Sequence, residues 1–518
     1  MATNIRDLFR RPIVAITAIT LLTAALSLHR LGAAEVCGAN EAIEGVFVQQ
    51  MVEHGHYLFP LENGRAPMYK PPLFHWTGAV LDRVVGITQV TAFNLRLPSA
   101  LYATAAAALV MLLAYSTIGF DVAILSGLIL ASSYQFISQA RVGRVDMTLT
   151  FYETAVLFTF LWWLWRRDTL YAPGAGWRGA VAVDWIKYLF ALSIGLAVLS
   201  KGPVGAILPL TAIIVFVWLE RRLRDATALL TPGSVLLAVV ISSSWYLACF
   251  FGRQMGFLHR QIEAENFGRF FGSLGTMRFS YYLKPILLNS APFSVLIPLA
   301  VAYAMYRWCR GTRPFDRAAP IRTGELEQGE KPPAAVVLFA IFWIVTVAFF
   351  WTAAYKRRAY LLPVWPSATI LIGWWLVAVA RTSALGRVSG LILRAAATLA
   401  LAIIGFNFFY LPRHEIRQCG ADSMRPAAEQ ILRVVGPDDP LYFYGGDIEL
   451  APLIFYLRRD LPIIDGKLGE APPGYVLVPA KRWPSLQKDA LDLEPVLGAG
   501  SGANELILLH RGKAYACR

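Results

Sequence analysis

The sequence predicts a polytopic α-helical membrane protein that ends in a small α/β domain. Three observations predict it. Of 518 residues, 56% are hydrophobic and only 16% charged, more apolar and less charged than soluble chains usually are. The mean hydropathy of +0.51 comes from long apolar runs separated by basic loops. From about residue 412 the polar fraction rises and the apolar runs shorten to strand length.

The first run, 12–28, follows Arg6, Arg10 and Arg11. With no convincing small-residue cleavage site after it, it reads as a spanning helix and not as a removable signal. Further runs lie at roughly 97–116, 121–139, 147–165, 187–200, 204–219, 233–251, 286–308, 334–354, 361–380 and 389–411. That makes about eleven spans, each helical because hydrocarbon offers backbone amides no partner outside their own segment. An odd number puts the two termini on opposite sides. One set of loops holds Arg6/Arg10/Arg11, Arg166/Arg167/Arg178, Arg221/Arg222/Arg224, Arg307/Arg310/Arg313/Arg317 and Arg381/Arg387. The preference of cytoplasmic loops for basic residues places that set, and the N-terminus, in the cytoplasm. The predicted domains are therefore a transmembrane part, 1–411, and an outer part, 412–518, in which Leu441-Tyr442-Phe443-Tyr444, Gly474–Val478 and Leu506–Leu509 read as strands around a helix at 425–435.

The outer face should be poor in lysine and arginine, yet it carries Lys70, Arg141, Arg144, Lys201, Arg253, Arg260, Arg269, Arg278 and Lys356-Arg357-Arg358. Snorkelling to lipid phosphate accounts for any one of them. As a set they point to a cavity for an anionic ligand. Two outer segments, about 30–96 and 252–284, alternate aromatic, apolar and charged residues and read as helices lying in the interface. The basic pI of about 9.6 has no nucleic-acid motif beside it, and no glycine-rich loop of the nucleotide-binding kind is present.

A series of short motifs lies at these helix ends in a fixed order: Asn40-Glu41, Tyr69-Lys70-Pro71-Pro72-Leu73, Arg96-Leu97-Pro98-Ser99, Arg144-Val145-Asp146, Lys201-Gly202-Pro203, Glu265-Asn266-Phe267-Gly268-Arg269-Phe270 and Lys356-Arg357-Arg358-Ala359-Tyr360-Leu361-Leu362-Pro363. The series resembles the membrane glycosyltransferases typified by the lipid A aminoarabinose transferases and, more remotely, the protein O-mannosyltransferases. The resemblance covers about residues 10–410. It implies a C-type glycosyltransferase fold in a bacterial inner membrane, with the C-terminal domain periplasmic or extracellular. It further implies a polyprenyl-phosphate-linked sugar donor, a lipid or protein acceptor, and transfer by single displacement at the outer face.

Such a displacement needs the departing phosphate's charge stabilised by fixed cations. Lys70, Lys201 and Arg269 are the first candidates, with Arg144, Arg357, Tyr69 and Tyr360 beside them and Glu265 and Asn266 as substrate contacts. Helix termination with a snorkelling lysine also explains Lys-Pro-Pro and Lys-Gly-Pro. The family's first outer loop opens with Asp-Glu, where this chain has Asn40-Glu41, and an amide cannot take up a proton. Glu41, or Glu44 one turn on, is then the expected carboxylate, with Asn40 as an orienting group or simply a helix N-cap; an anionic acceptor would need no base. Asp146 matches the family's second acidic position. No cofactor is expected; a divalent metal is conceivable, but His259 and Glu265 are badly spaced for one helical face.

Of five cysteines, Cys249 and Cys309 sit in or beside spans. A Cys419–Cys517 bridge would close the outer domain and leave Cys37 odd. The rival functions are a flippase or transporter of a polyprenyl-linked sugar, against which inverted halves are not evident, and a degenerate homologue without catalysis.

Overall fold

The structure is a computed structural model that describes residues 12–170, 177–273, 275–311, 331–381, 389–420, 422–445, 449–489, 492–500 and 502–511. Arg6, Arg10, Arg11, Arg313, Arg317, Arg387 and Cys517 lie outside them, as does the Arg178 side chain. The chain divides into two compact units. One, here the helical unit, is Met1–His29, Tyr69–Phe74 and Leu97–Tyr410; the other, the mixed unit, is Arg30–Met68, His75–Arg96 and Leu411–Arg518. The division near residue 411 thus has a counterpart inside the first outer segment.

Every apolar segment read from the sequence falls on a helix. Among the described residues, five helices are long and apolar enough to cross a membrane: Ala92–Thr117, Val145–Arg167, Pro232–Phe251, Ala334–Thr352 and Gly390–Gly420. Pro12–Leu28, Val204–Leu219 and Val364–Ala380 are shorter apolar helices, and Trp177–Lys201 covers the segment between 187 and 200. Two further segments are bent pairs, Phe120–Ser132 with Tyr134–Ala140 at 65° and Phe279–Leu288 with Phe293–Arg310 at 116°. A bend at membrane depth frees backbone groups that must find partners inside the protein. Here the two breaks satisfy each other. Ser133 Oγ and Ser290 Oγ share a hydrogen bond of 2.6 Å, Asn289 Nδ2 donates to Gln135 Oε1 at 2.8 Å, and the Gln135 amide donates to the Asn289 carbonyl at 3.2 Å.

Arg141, expected among the ligand-facing cations, has another use. It is only 1% exposed, and its Nη1 donates to the carbonyls of Leu26, Ser27 and His29 at 3.0, 3.3 and 2.8 Å. A cation among the free carbonyls at the end of the first helix satisfies them and opposes its dipole.

In the mixed unit, strands β3 (Leu441–Phe443), β4 (Gly474–Pro479), β5 (Glu494–Ala499) and β6 (Leu506–Arg511) form one sheet in the order β3-β4-β6-β5. The β3–β4 pair is parallel and the others antiparallel. Val476, Val478 and Leu509 pack with Leu468, Trp483 and Leu493 in its core. The outer loop adds helix Ala39–Val52, the hairpin β1 (Leu61–Glu62) and β2 (Ala66–Pro67), and helix Leu73–Val85. Helix Ala39–Val52 packs on helix Ala451–Leu457 at Gly45, where a Cβ would come within 2.7 Å of the Phe455 ring. Its N-cap is Gly38 and Asn40 already lies inside it, which removes the N-cap reading of Asn40. The disulfide joins Cys37 to Cys419. This corrects the expected Cys419–Cys517 pairing: proximity across 382 residues of chain is set by tertiary packing, which cysteine spacing does not reveal.

Candidate active site

Four stretches of the helical unit enclose a cavity of about 380 Å³: Tyr69-Lys70, the junction from Lys201 to Ile207, Gln261 to Phe271, and Phe349 to Tyr360. The junction is built by Gly202. Its φ of +91° ends the helix at Lys201 without the steric cost a side chain would meet there. A Cβ at this position would also lie 2.5 Å from Gln261 Nε2, so the glycine lets the second outer segment approach. Pro203 then opens the next helix, as the Lys-Gly-Pro pattern implies.

The second outer segment is helical, as expected, but Arg260–Gly268 is wound as a π-helix, a widened turn common at functional sites. It is followed by Arg269, whose Nη2 lies 2.7 Å from Glu265 Oε2 and whose Nη1 donates to the Tyr360 hydroxyl at 3.0 Å. Burial works against its charge, but Tyr360 and Glu265 outweigh burial and hold the Arg269 guanidinium above its ordinary value. The segment is tied down by main-chain bonds, Tyr355 to the Arg269 carbonyl at 3.1 Å and Ala354 to the Phe270 carbonyl at 3.0 Å. Asn266 spends its Nδ2 on the Gln261 carbonyl at 2.7 Å.

Lys70 is 5% exposed, with Nζ 4.6 Å from the centre of the Tyr69 ring. Lys201 Nζ lies 4.7 Å from the Tyr360 ring centre and 2.5 Å from Asp146 Oδ1. Asp146, 2% exposed in the first turn of helix Val145–Leu170, also forms an ion pair with Arg144, Oδ2 to Nη2 at 3.3 Å. Arg144 therefore reaches the cavity through Asp146. Arg357 acts through Tyr355, donating from Nε and Nη2 to its hydroxyl at 3.2 Å. The cations stand against an apolar wall: Phe267, Phe270, Phe271, Phe349, Phe350 and Ile207. Such a cavity can hold an anionic group at one set of contacts and a hydrocarbon chain along the other.

The remaining candidates belong to the mixed unit. Glu41 is 7% exposed, and both its oxygens are taken by Arg96, Nε to Oε1 at 2.7 Å and Nη2 to Oε2 at 2.9 Å. Arg96 also donates to the carbonyls of Leu31, Ala34 and Glu35. Glu44 Oε2 lies 2.7 Å from His75 Nε2, and neither side chain is exposed. Asn40 is half-buried beside them in sequence. His259 pairs with Glu263, at 2.9 Å, and not with Glu265. No group of three or more metal-ligating side chains comes together among the described residues.

Sequence reasoning passed over Tyr355, Gln261 and the part of the aromatic wall made by Phe349 and Phe350, although it named Phe267, Phe270 and Phe271 as interfacial aromatics. It also passed over Glu153, which is wholly buried with neither oxygen hydrogen-bonded. Its signal was available: a carboxylate inside an apolar span, seven residues and two helical turns after Asp146.

Residues 49–258 match the family model of the dolichyl-phosphate-mannose-protein mannosyltransferases. ArnT from Cupriavidus metallidurans bound to undecaprenyl phosphate superposes with a TM-score of 0.74 at 18% identity, covering 96% of this chain and 97% of that one. The archaeal oligosaccharyltransferase AglB from Archaeoglobus fulgidus gives 0.53 at 13% identity, over 92% and 70% of the two chains. The chain thus shares its fold with these two structures. In sequence, an uncharacterised protein of Aquifex aeolicus is 27% identical over 54% of this chain and 52% of its own length. An undecaprenyl phosphate-α-4-amino-4-deoxy-L-arabinose arabinosyl transferase of Pseudomonas aeruginosa is 26% identical over 69% of this chain and 59% of its own. The matched region therefore spans about half of the one relative and somewhat more of the other.

Proposed function

We propose that the protein transfers a glycosyl group from a polyprenyl-phosphate donor to a lipid or other acceptor at the outer face of the bacterial inner membrane. The single observation that carries this is the cavity in which Lys70, Lys201 and Arg269 meet an aromatic wall. The wall suits a prenyl chain and the cations suit its phosphate. In the reaction an acceptor oxygen attacks the anomeric carbon and the bond from that carbon to the phosphate oxygen breaks. The phosphate keeps the electron pair and passes from a singly charged diester to a monoester of higher charge. Cations fixed beforehand bind the product phosphate more strongly than the donor, and so stabilise the transition state between them. Asp146 fixes Lys201 in that role, and Glu265 with Tyr360 fixes Arg269.

Glu41, with Glu44 next and Asn40 as an orienting group, is the proposed carboxylate for the acceptor. One observation favours a second reading. Both Glu41 oxygens already accept from Arg96, which suits an acceptor that brings its own anionic oxygen and needs no base. We place the N-terminus in the cytoplasm and residues 412–518 outside, as the basic loops require.

The test is to give purified protein in nanodiscs a radiolabelled polyprenyl-phosphate sugar. Label passing to an acceptor, or to water, is the expected result. Protected movement of intact donor across the bilayer would replace the enzyme with a flippase.

A further inference from the structure

The mixed unit holds a second cavity, of about 330 Å³, within the ~300–1,000 Å³ span of ordinary ligand clefts. Two tight turns build it. Residues 53–56, after helix Ala39–Val52, turn at Gly55, whose φ is +75°. Residues 458–460, after helix Ala451–Leu457, turn at Arg458, whose φ of +54° is a conformation that a side-chain-bearing residue adopts only against steric resistance. Both turns are held from behind. Arg458 Nη1 lies 2.5 Å from Glu53 Oε1 and its Nη2 donates to the Val90 carbonyl, while Asn63 brackets the main chain of Leu461 through both atoms of its amide. Arg459 is likewise used from behind, by the carbonyls of Gly436 and Asp439 at 3.1 and 2.6 Å.

The groups left toward the cavity are of a different kind. Asp460, His54 and His56 are exposed at its rim. Gln50 Oε1 meets His56 Nδ1 at 2.8 Å, which leaves the Gln50 N–H₂ and His56 Nε2 for a ligand. Formal charges in the lining, Glu53 and Asp460 against Arg458 and Arg459, cancel when the imidazoles are neutral. The donor cavity differs, since its lining sets Lys70, Lys201 and Arg269 against Glu265 alone. A balanced cleft has no electrostatic preference for phosphate. A carboxylate, an amide N–H₂ and two imidazoles instead offer acceptors and donors in the mixture that neighbouring hydroxyl groups require.

We propose that this cleft is a carbohydrate subsite that holds the saccharide part of the acceptor. As an acceptor subsite it rests on the glycosyl-transfer reading above; as a carbohydrate site it stands by itself. Saturation-transfer NMR of the full-length protein in nanodiscs, with a panel of free neutral and amino hexoses and with inorganic phosphate as a separate probe, tests it directly. At least one hexose should show saturation that falls 5-fold or more in Asp460→Asn and in His54→Ala, and that Lys201→Ala leaves unchanged. Asp460 is exposed, so its variant folds; gel filtration checks this. In the transfer assay Asp460→Asn should raise the acceptor KM about 10-fold while donor hydrolysis is unchanged. Absence of hexose saturation, saturation indifferent to Asp460, or binding of phosphate alone would each overturn the proposal. Failure of transfer with hexose binding intact would overturn only its acceptor assignment.

Discussion

Lys201 Nζ and Asp146 Oδ1 lie 2.5 Å apart across 55 residues of sequence, from the end of one spanning helix to the start of another. Asp146 is buried and Lys201 half-buried, and Asp146 also pairs with Arg144. The carboxylate therefore competes with any phosphate for the lysine's charge. Asp146→Asn should tighten polyprenyl phosphate binding or leave it unchanged, while lowering kcat 10-fold or more because Lys201 loses its anchor. Lys201→Met should weaken that binding at least 10-fold. Kd values of the purified variants for polyprenyl phosphate, set beside kcat, check this; equal weakening by both would show that the pair only holds the helices together.

Arg269 offers two faces of its guanidinium, one to Glu265 and one to Tyr360. A lysine keeps the charge but cannot reproduce that forked geometry. Arg269→Lys should raise the donor KM about 10-fold, and Tyr360→Phe, which removes one neutral acceptor, about 3-fold. Steady-state kinetics with the lipid-linked donor decide it. An unchanged KM in Arg269→Lys would limit the residue to a bulk charge.

Glu41 and Arg96 make a bidentate, nearly buried pair. Removing one partner strands the other, at a cost of about 3–5 kcal/mol. Glu41→Gln should therefore lower thermal stability as well as abolish transfer. The double variant Glu41→Gln, Arg96→Gln separates these effects. It should regain much of the melting temperature and none of the activity. Activity returning with stability would make Glu41 a structural residue and direct attention to Glu44 or to an anionic acceptor.

The helices were legible because hydropathy over a span-length window is a property of the sequence itself. Lys70, Lys201 and Arg269 could be chosen together because lysine and arginine are unexpected in the loops read as outer, and Pro-Pro or Gly-Pro after Lys70 and Lys201 marks two of the helix ends. What each cation touches was not legible. Arg141 and Lys201 look alike as basic residues near helix ends, yet one is surrounded by carbonyls at the end of the first helix and the other borders the cavity. Glu41 and Glu44 share one turn of helix, but Arg96 and His75 come to them from later in the chain. The cleft around Asp460 was hidden for the same reason, since its walls come from segments about 400 residues apart.

The Cys37–Cys419 bridge closes a loop with a sequence separation of 382. By the chain-entropy argument a loop this long gives stabilisation of about 6 kcal/mol, an upper figure where other contacts already restrain the ends. Cys419→Ser should therefore lower the melting temperature of the outer part, and the wild type should show the same fall after reduction. Differential scanning fluorimetry with and without reductant reads both. Peptide mapping should find Cys37 joined to Cys419 and not to Cys517.

Asp82 supplies a pH test. It is 1% exposed on helix Leu73–Val85, where burial pushes its carboxyl up to about 6 against the pull of a hydrogen bond from Asn94 Nδ2 at 2.9 Å. The folded protein thus holds this proton more tightly than the unfolded chain does. Below pH ~4 both states are protonated and no stability is lost. As pH rises from about 4 to 6 the unfolded chain ionises first, and its advantage grows to at most about 3 kcal/mol before levelling off. An asparagine in its place cannot ionise, so Asp82→Asn should gain stability relative to wild type between pH 4 and 6 and keep that gain at pH 8. Melting temperatures of the two proteins in matched buffers measure it. A difference independent of pH would mean that the Asp82 carboxyl titrates alike in the folded and unfolded states, with the Asn94 hydrogen bond offsetting its burial.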